Sequence, residues 1–197
     1  MTITLLPGQR AGLRWHLRAA TRDLHDEADR LGQGFDLGHP AGYRRFLTAH
    51  ARALPGLEAA CDEAGLERQV PDWPQRRRAS ALAEDLARLA MPQPPAEPVT
   101  VPPGPAALGI AYVLEGSRLG NAMLLRMVLG ASNLVHDGAT AYLSHRPGPE
   151  GWPGFLARLE QALPDPARWA EATAGARLAF ECFLTAMRRE RVSLQHA

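Results

Sequence analysis

The segment Leu17–Asp29, LRAATRDLHDEAD, gathers the side chains best suited to hold a metal or an anionic ligand. An α-helix turns about 100° per residue, so Arg18, Arg22, His25 and Asp29, at i, i+4, i+7 and i+11, share one narrow stripe. A neutral imidazole in that stripe can offer one ring nitrogen to a metal. Its other N–H can go to Asp29 or a nearby carbonyl, the bond that fixes the tautomer and ring orientation of a ligating histidine. Arg18 and Arg22, two turns and one turn away, can pair with anionic groups of a ligand lying along the same helix. The plainer alternative is a histidine at the edge of the core flanked by solvated ion pairs, a common arrangement. His16, His39, His50, His136, His145 and His196 have no comparable setting and read as surface or capping residues.

A second segment, Tyr112–Asn121, reads YVLEGSRLGN within a strongly apolar helical stretch. Each glycine inside a helix costs about 1 kcal/mol relative to alanine. Gly116 and Gly120 are four residues apart and therefore open a strip of bare backbone on one face. A flat ligand can approach there, and exposed carbonyls or a local kink can hold ordered water. Close helix–helix packing would ask for the same glycines, and the sequence leaves the two readings open. The Ser117 hydroxyl has no histidine or aspartate near it in sequence to make a nucleophilic triad.

Other motifs exclude more than they suggest. There is no HExxH, and no ExxH pair accompanied by two further helical carboxylates, which disfavours zinc-hydrolase and di-iron sites. Gly32-x-Gly34 follows a helix rather than a strand, so it is not a dinucleotide fingerprint. No nucleotide or flavin site is expected, and redox chemistry would draw electrons from another protein. The run Arg76–Arg78 reads as a solvated helix start, with an acidic partner as the alternative. Phe180 and Phe183 are most simply core residues.

The elements that must position these side chains are helices throughout, since no convincing alternating strand pattern occurs. A first helix is expected over about Leu13–Leu31, with Leu13, Leu17, Ala20, Leu24, Ala28 and Leu31 facing the core. Helices are expected at Gly42–Leu54 and, restarted by Pro55, at Gly56–Ala64. Another opens at Pro74 and runs through Leu82, Leu86 and Leu89. Residues 91–105 are too rich in proline for a helix and form a stiff loop inside one domain. A long apolar helix follows over Ala106–Leu129, then shorter ones at Ala139–His145 and Gly151–Leu163. A final amphipathic helix spans roughly Ala167–Arg189. The expectation is an all-α, single-domain helical bundle over residues 1–197, with residues 1–12 as a tail.

Bulk properties agree with a globular enzyme-sized domain. At 197 residues the chain can bury a real core. A net charge of +1 argues against nucleic-acid binding. All 22 basic side chains are arginine, so anionic partners must be met by permanently charged guanidinium forks. Cys61 and Cys182 are far apart and read as core residues in a reduced cytoplasm. No membrane-length apolar run or secretory signal is visible.

Together the two segments resemble the haem oxygenase family. Leu17–Asp29 is similar to its first-helix signature LxxATxxxH, with His25 at the proximal-ligand position. YVLEGSRLG at Tyr112–Gly120 closely resembles the distal-helix motif of bacterial haem oxygenases, including those paired with bacteriophytochromes. Gly42–Leu47, Trp73–Leu89 and Ala176–Phe183 are similar as well, so the resemblance covers most of the chain. It implies an all-α fold clamping haem b, both cofactor and substrate, between the first helix and a kinked distal helix. His25 would hold the iron with Asp29 behind it, and Arg18, Arg22 and Tyr112 would lie near the propionates. Phe180 would touch the haem edge, while Gly116, Ser117, Gly120 and Asn121 would cover the oxygen-binding face. The implied reaction cleaves haem with O2 and electrons from a ferredoxin or reductase to biliverdin, expected as the α isomer, CO and ferrous iron. A bacteriophytochrome is the implied acceptor of biliverdin. Two positions depart from the pattern. Some members carry a carboxylate where Ser117 stands, and Asn121 replaces a small residue. Its amide adds a distal hydrogen bond or crowds the ligand, and the second case would favour a non-catalytic haem-delivery protein. A haem-free scaffold is the third reading, disfavoured by the His25 stripe.

Overall fold

A computed structural model describes residues 12–148 and 150–192, so the expected tail lies almost wholly outside the described residues, as does His196. The described chain is helical, with no strand. In order the helices are α1 (Leu13–Ala20), α2 (Arg22–Gly32), α3 (Pro40–Glu63), α4 (Trp73–Arg76), α5 (Ala79–Arg88) and α6 (Pro105–Gly130). They continue as α7 (Asn133–His136), α8 (Ala141–Ser144), α9 (Gly151–Ala162) and α10 (Trp169–Val192). Residues 91–104 form the expected irregular, proline-rich segment.

Three boundaries differ from expectation, each for a local reason. The first helix is two, because Thr21 leaves helical geometry at φ −119°, ψ 9°. Its hydroxyl donates to the Leu17 carbonyl at 2.8 Å, a back-bond that bends helices. Backbone bonds from Thr21 N to Leu17 O and from His25 N to Thr21 O still carry the chain through the bend. Pro55, expected to restart a helix, lies inside an unbroken α3. Proline disturbs the preceding turn, and here the Arg52 carbonyl is satisfied from outside by the Glu97 N–H at 2.9 Å. The proline-rich segment is thus fastened to α3 in the turn before Pro55. The helix expected to open at Pro74 breaks at Arg77 into α4 and α5. Of the run expected to be solvated only Arg77 is exposed, while Arg76 and Arg78 are each only 1% exposed.

The distal helix α6 is helical through both glycines. It crosses α10 so closely that a Cβ on Gly109 would stand 1.8 Å from the Ala172 carbonyl oxygen, and one on Gly175 would stand 1.9 Å from that of Ala106. Helix α10 also packs on α2 and α3, so one helix carries both sides of the candidate site. Buried side chains from all these elements form a contiguous core that includes Leu13, Leu17, Leu31, Cys61 and Phe183, while Leu24, Ala28 and Phe180 pack at its edge, half-buried.

Histidine roles also sort out. His39 caps α3, its Nδ1 accepting the Ala41 N–H at 3.3 Å. His16 is exposed, and His145 is half-buried beside Arg118. His50 and His136, expected at the surface or in caps, are buried. His136 does cap locally, its Nδ1 accepting the Gly138 N–H at 3.0 Å.

Candidate active site

On α2, His25 Nδ1 lies 3.2 Å from Asp29 Oδ2, so the carboxylate one turn away stands beside one ring nitrogen and Nε2 is the one left for a metal. The imidazole is 61% exposed and stands edge-on to Phe180 of α10, with ring centroids 6.0 Å apart. Neighbouring arginines are neutralised: Arg30 by Glu27, Arg177 by Asp23, and Arg188 by Glu27. Arg18 and Arg22 are exposed, and no ion pair to a carboxylate is formed by either among the described residues. Two free cations therefore flank the histidine on its own helical layer.

The glycines of α6 can now be told apart. Gly109 and Gly175 are packing glycines, since any side chain there would strike backbone. Gly120 is not: nothing lies within 4 Å of where its Cβ would be. At Gly116 the nearest atom would be Trp152 Cη2 at 3.7 Å, an ordinary contact. The strip is open at Gly120 and bordered by the Trp152 ring at Gly116, with no helix backbone against either, which favours ligand approach over helix packing. Around it Leu119, Met123 and Met127 are 63%, 55% and 49% exposed. By helical rotation these three and Tyr112 share with Gly116 and Gly120 an arc of about 100°. The helix is buried up to Glu115 and largely exposed beyond it, with Leu129 also exposed on another side. A contiguous exposed apolar face of this kind is a candidate binding surface.

One end of this face is polar. Tyr112 packs against Trp152 of α9 at 5.6 Å between ring centroids. Burial pushes the Tyr112 phenol above its ordinary pKa, while the charges of Arg14 and Arg18 pull it down, which links α6 to the arginines of α1.

Ser117 and Asn121 point elsewhere. They lie about 100° and 140° round the helix from Gly116, on the side that meets Arg78. Ser117 Oγ donates to the Leu114 carbonyl at 2.8 Å and accepts from Arg78 Nη2 at 2.9 Å. The Asn121 amide satisfies both its ends when its nitrogen donates to the Ser117 carbonyl (3.2 Å) and its oxygen accepts from Arg78 Nη1 (3.1 Å). Asn121 is buried by this bonding and does not crowd the open glycine strip.

Arg78 is the centre of a buried polar layer that sequence reasoning missed. Its guanidinium also reaches the Leu114 carbonyl (2.9 Å) and lies over the Tyr142 ring at 5.0 Å. The Tyr142 hydroxyl is 2.7 Å from His50 Nδ1. Burial, with the Arg78 charge adding to it, holds the His50 pKa down to about 3, so this histidine is neutral. Arg78 Nε and His50 Nε2 are buried without a protein partner, and such groups call for ordered water. Beside this layer Arg76 bonds Glu115 at 2.6 Å and Asp72 at 2.7 Å, and Arg118 bonds Glu115 at 2.7 Å. Two arginines two residues apart cannot share a helix face. That spacing demands a break from helical geometry only once both arginines are buried, which the RRR run by itself does not reveal. Trp152 carried no signal either, because only the packing of α9 brings it to Tyr112.

No protein-family model matches the chain. A haem oxygenase of Xanthomonas campestris pv. campestris (strain 8004) is 35% identical over 152 residues, which are 75% of this chain and 90% of that protein. The chain belongs to the haem oxygenase family. The fold agrees: the NO- and CO-bound haem oxygenase of Neisseria meningitidis superposes with a TM-score of 0.75 at 26% identity, covering 92% of each chain. The phytochrome association expected from the distal motif has no counterpart in either protein's description.

The residues present in this haem oxygenase fit a haem. A free imidazole nitrogen, an apolar helical face bared by two glycines, and unpaired arginines at one end match the iron, the flat macrocycle and the carboxylates respectively. No group of three or more His, Cys, Asp or Glu side chains among the described residues offers a competing metal site. No described helix is long and apolar enough to cross a membrane.

Proposed function

We propose that this haem oxygenase binds haem b between α2 and α6, with His25 as the axial ligand. It cleaves the ring with O2 and externally supplied electrons to biliverdin, CO and ferrous iron. The observation that carries the reading is the pair Gly116 and Gly120: no backbone packs against either, Gly120 faces open space, and Gly116 is approached only by the Trp152 ring at 3.7 Å. When bound, haem supplies the iron that activates O2 and the macrocycle that is opened.

The chain's own groups do the positioning. The Asp29 carboxylate, 3.2 Å from His25 Nδ1, favours the ring proton on that nitrogen and leaves Nε2 as a neutral donor; a neutral histidine lacks the electron push of a thiolate that drives O–O cleavage. Phe180 packs edge-on to the imidazole and limits its rotation. Arg18, Arg22 and Tyr112 hold the carboxylate edge. Bare backbone at Gly116 and Gly120 would give haem and the O2 it activates room that larger side chains would take. Ser117 and Asn121 serve this face indirectly, through Arg78, by fixing the helix that carries the glycines. The haem-delivery reading rested on Asn121 crowding the ligand, and its bonds to Arg78 and Ser117 remove that support. The α isomer of biliverdin, a ferredoxin or reductase as donor, and a bacteriophytochrome as acceptor follow from the motif resemblance and belong to the same proposal.

Haemin titrated into the protein should produce a Soret band that shifts and weakens in His25→Ala. Reductant and air should then replace the wild-type band with biliverdin absorption. A wild-type complex that takes up O2 yet yields no biliverdin would refute catalysis and reinstate the carrier. No Soret band at all would remove both.

A further inference from the structure

We infer that Arg14 is a third arginine for the haem carboxylates, acting beside Arg18 and Tyr112 and selecting a dianionic porphyrin over a neutral one. This rests on the haem-binding reading above. Arg14 stands one turn before Arg18 on α1, the helix that leads into α2 and His25. Its backbone is pinned. Glu160 of α9 reaches across to accept the Leu13 N–H on one oxygen and the Arg14 N–H on the other, each at 2.9 Å. These are donors that the first turn of a helix otherwise leaves without partners. Gly12 enters this cap at φ +114°, where a Cβ would come within 2.9 Å of Glu160 Oε1. The α1 start is therefore locked to the helix that also carries Trp152.

The side chain is held just as definitely. The Arg14 guanidinium lies 4.6 Å from the Trp15 ring centroid, and that of Arg18 lies 5.8 Å from the same centroid. One indole thus gathers two like charges. Among the described residues neither guanidinium forms an ion pair with a carboxylate, and both oxygens of the nearby Glu160 are occupied by backbone N–H groups. Both charges also pull the Tyr112 phenol down against the rise that burial imposes. Two adjacent unneutralised guanidiniums, whose forks match carboxylates in a bidentate manner, have the chemistry of an anion clamp.

Titration of the apoprotein with haem and with haem dimethyl ester, followed at the Soret band, separates charge recognition from apolar binding. Arg14→Met should lower the preference for haem over its ester by about fivefold, with affinity for the ester and the band position unchanged. Arg14→Lys should recover part of the preference. An unchanged preference in Arg14→Met would overturn the inference, and so would equal weakening of both ligands, which would mark Arg14 as a folding residue of α1. Failure of the wild-type protein to bind either ligand would instead count against the haem reading itself, so the two outcomes are distinct.

Discussion

Glycine at position 120 costs the helix stability, and in the proposed haem site the ligand is what repays it. Nothing neighbours its absent side chain, so Gly120→Ala should stabilise the apoprotein by up to about 1 kcal/mol and raise its thermal midpoint. The added methyl group would stand on the haem face, and haem affinity should fall in the same variant. A rise in both stability and affinity would show that the strip is not a ligand surface. Asn121→Ala tests the reverse side of the helix. It deprives buried Arg78 of an acceptor and should cost about 1–3 kcal/mol in denaturant unfolding, while the Soret position stays that of wild type. His50 gives a pH signature. Its pKa is about 6.5 when unfolded and about 3 when folded, so the unfolded chain binds the extra proton between those values. Stability from this group is complete above about pH 6.5 and is lost as the pH falls toward 3, with a slope of up to about 1.4 kcal/mol per pH unit. His50→Gln should flatten that slope; an unchanged pH profile would contradict the burial of a neutral imidazole.

Among the elements, α6 has two different faces that meet different demands. One is left open for ligand. The other is fastened by Arg78 to the Leu114 carbonyl, Ser117 and Asn121, and by Glu115 to Arg76 and Arg118. Glu115 and Arg76 are almost wholly buried, and breaking such a pair from one side leaves a charge without compensation. Glu115→Gln should therefore destabilise the fold by about 3 kcal/mol, read as a lower denaturant midpoint. Glu115→Leu, which fails to hydrogen-bond either arginine, should cost more. The Arg77 break between α4 and α5 is what lets both arginines point inward, and Glu58 secures it by accepting the N–H groups of Arg78 (2.7 Å) and Ala79 (3.1 Å).

For the molecule as a whole, α10 is the shared foundation: it supports α6 through the Gly109–Gly175 crossing and α2 through Phe180 and the Arg177–Asp23 pair. Periodicity was enough to place nearly every helix, the proline-rich segment and the His25 stripe, because those depend on contacts within a turn or two of chain. It also revealed that Gly116 and Gly120 share a face. What local spacing could not decide was whether that face was packed or empty, since Gly109 and Gly120 are alike in sequence and differ only in what α10 brings against them. The same limit hid Arg78, Tyr142 and His50, which meet across 36 or more residues of chain, and reversed the expected exposure of Arg76 and Arg78. The amino-acid sequence by itself determined the helices and the family, with the histidine that can take the iron. Tertiary packing alone decided which polar side chains face the ligand and which, like Asn121, are turned to hold the helix behind it, because burial and charge pairing are set by neighbours remote in sequence.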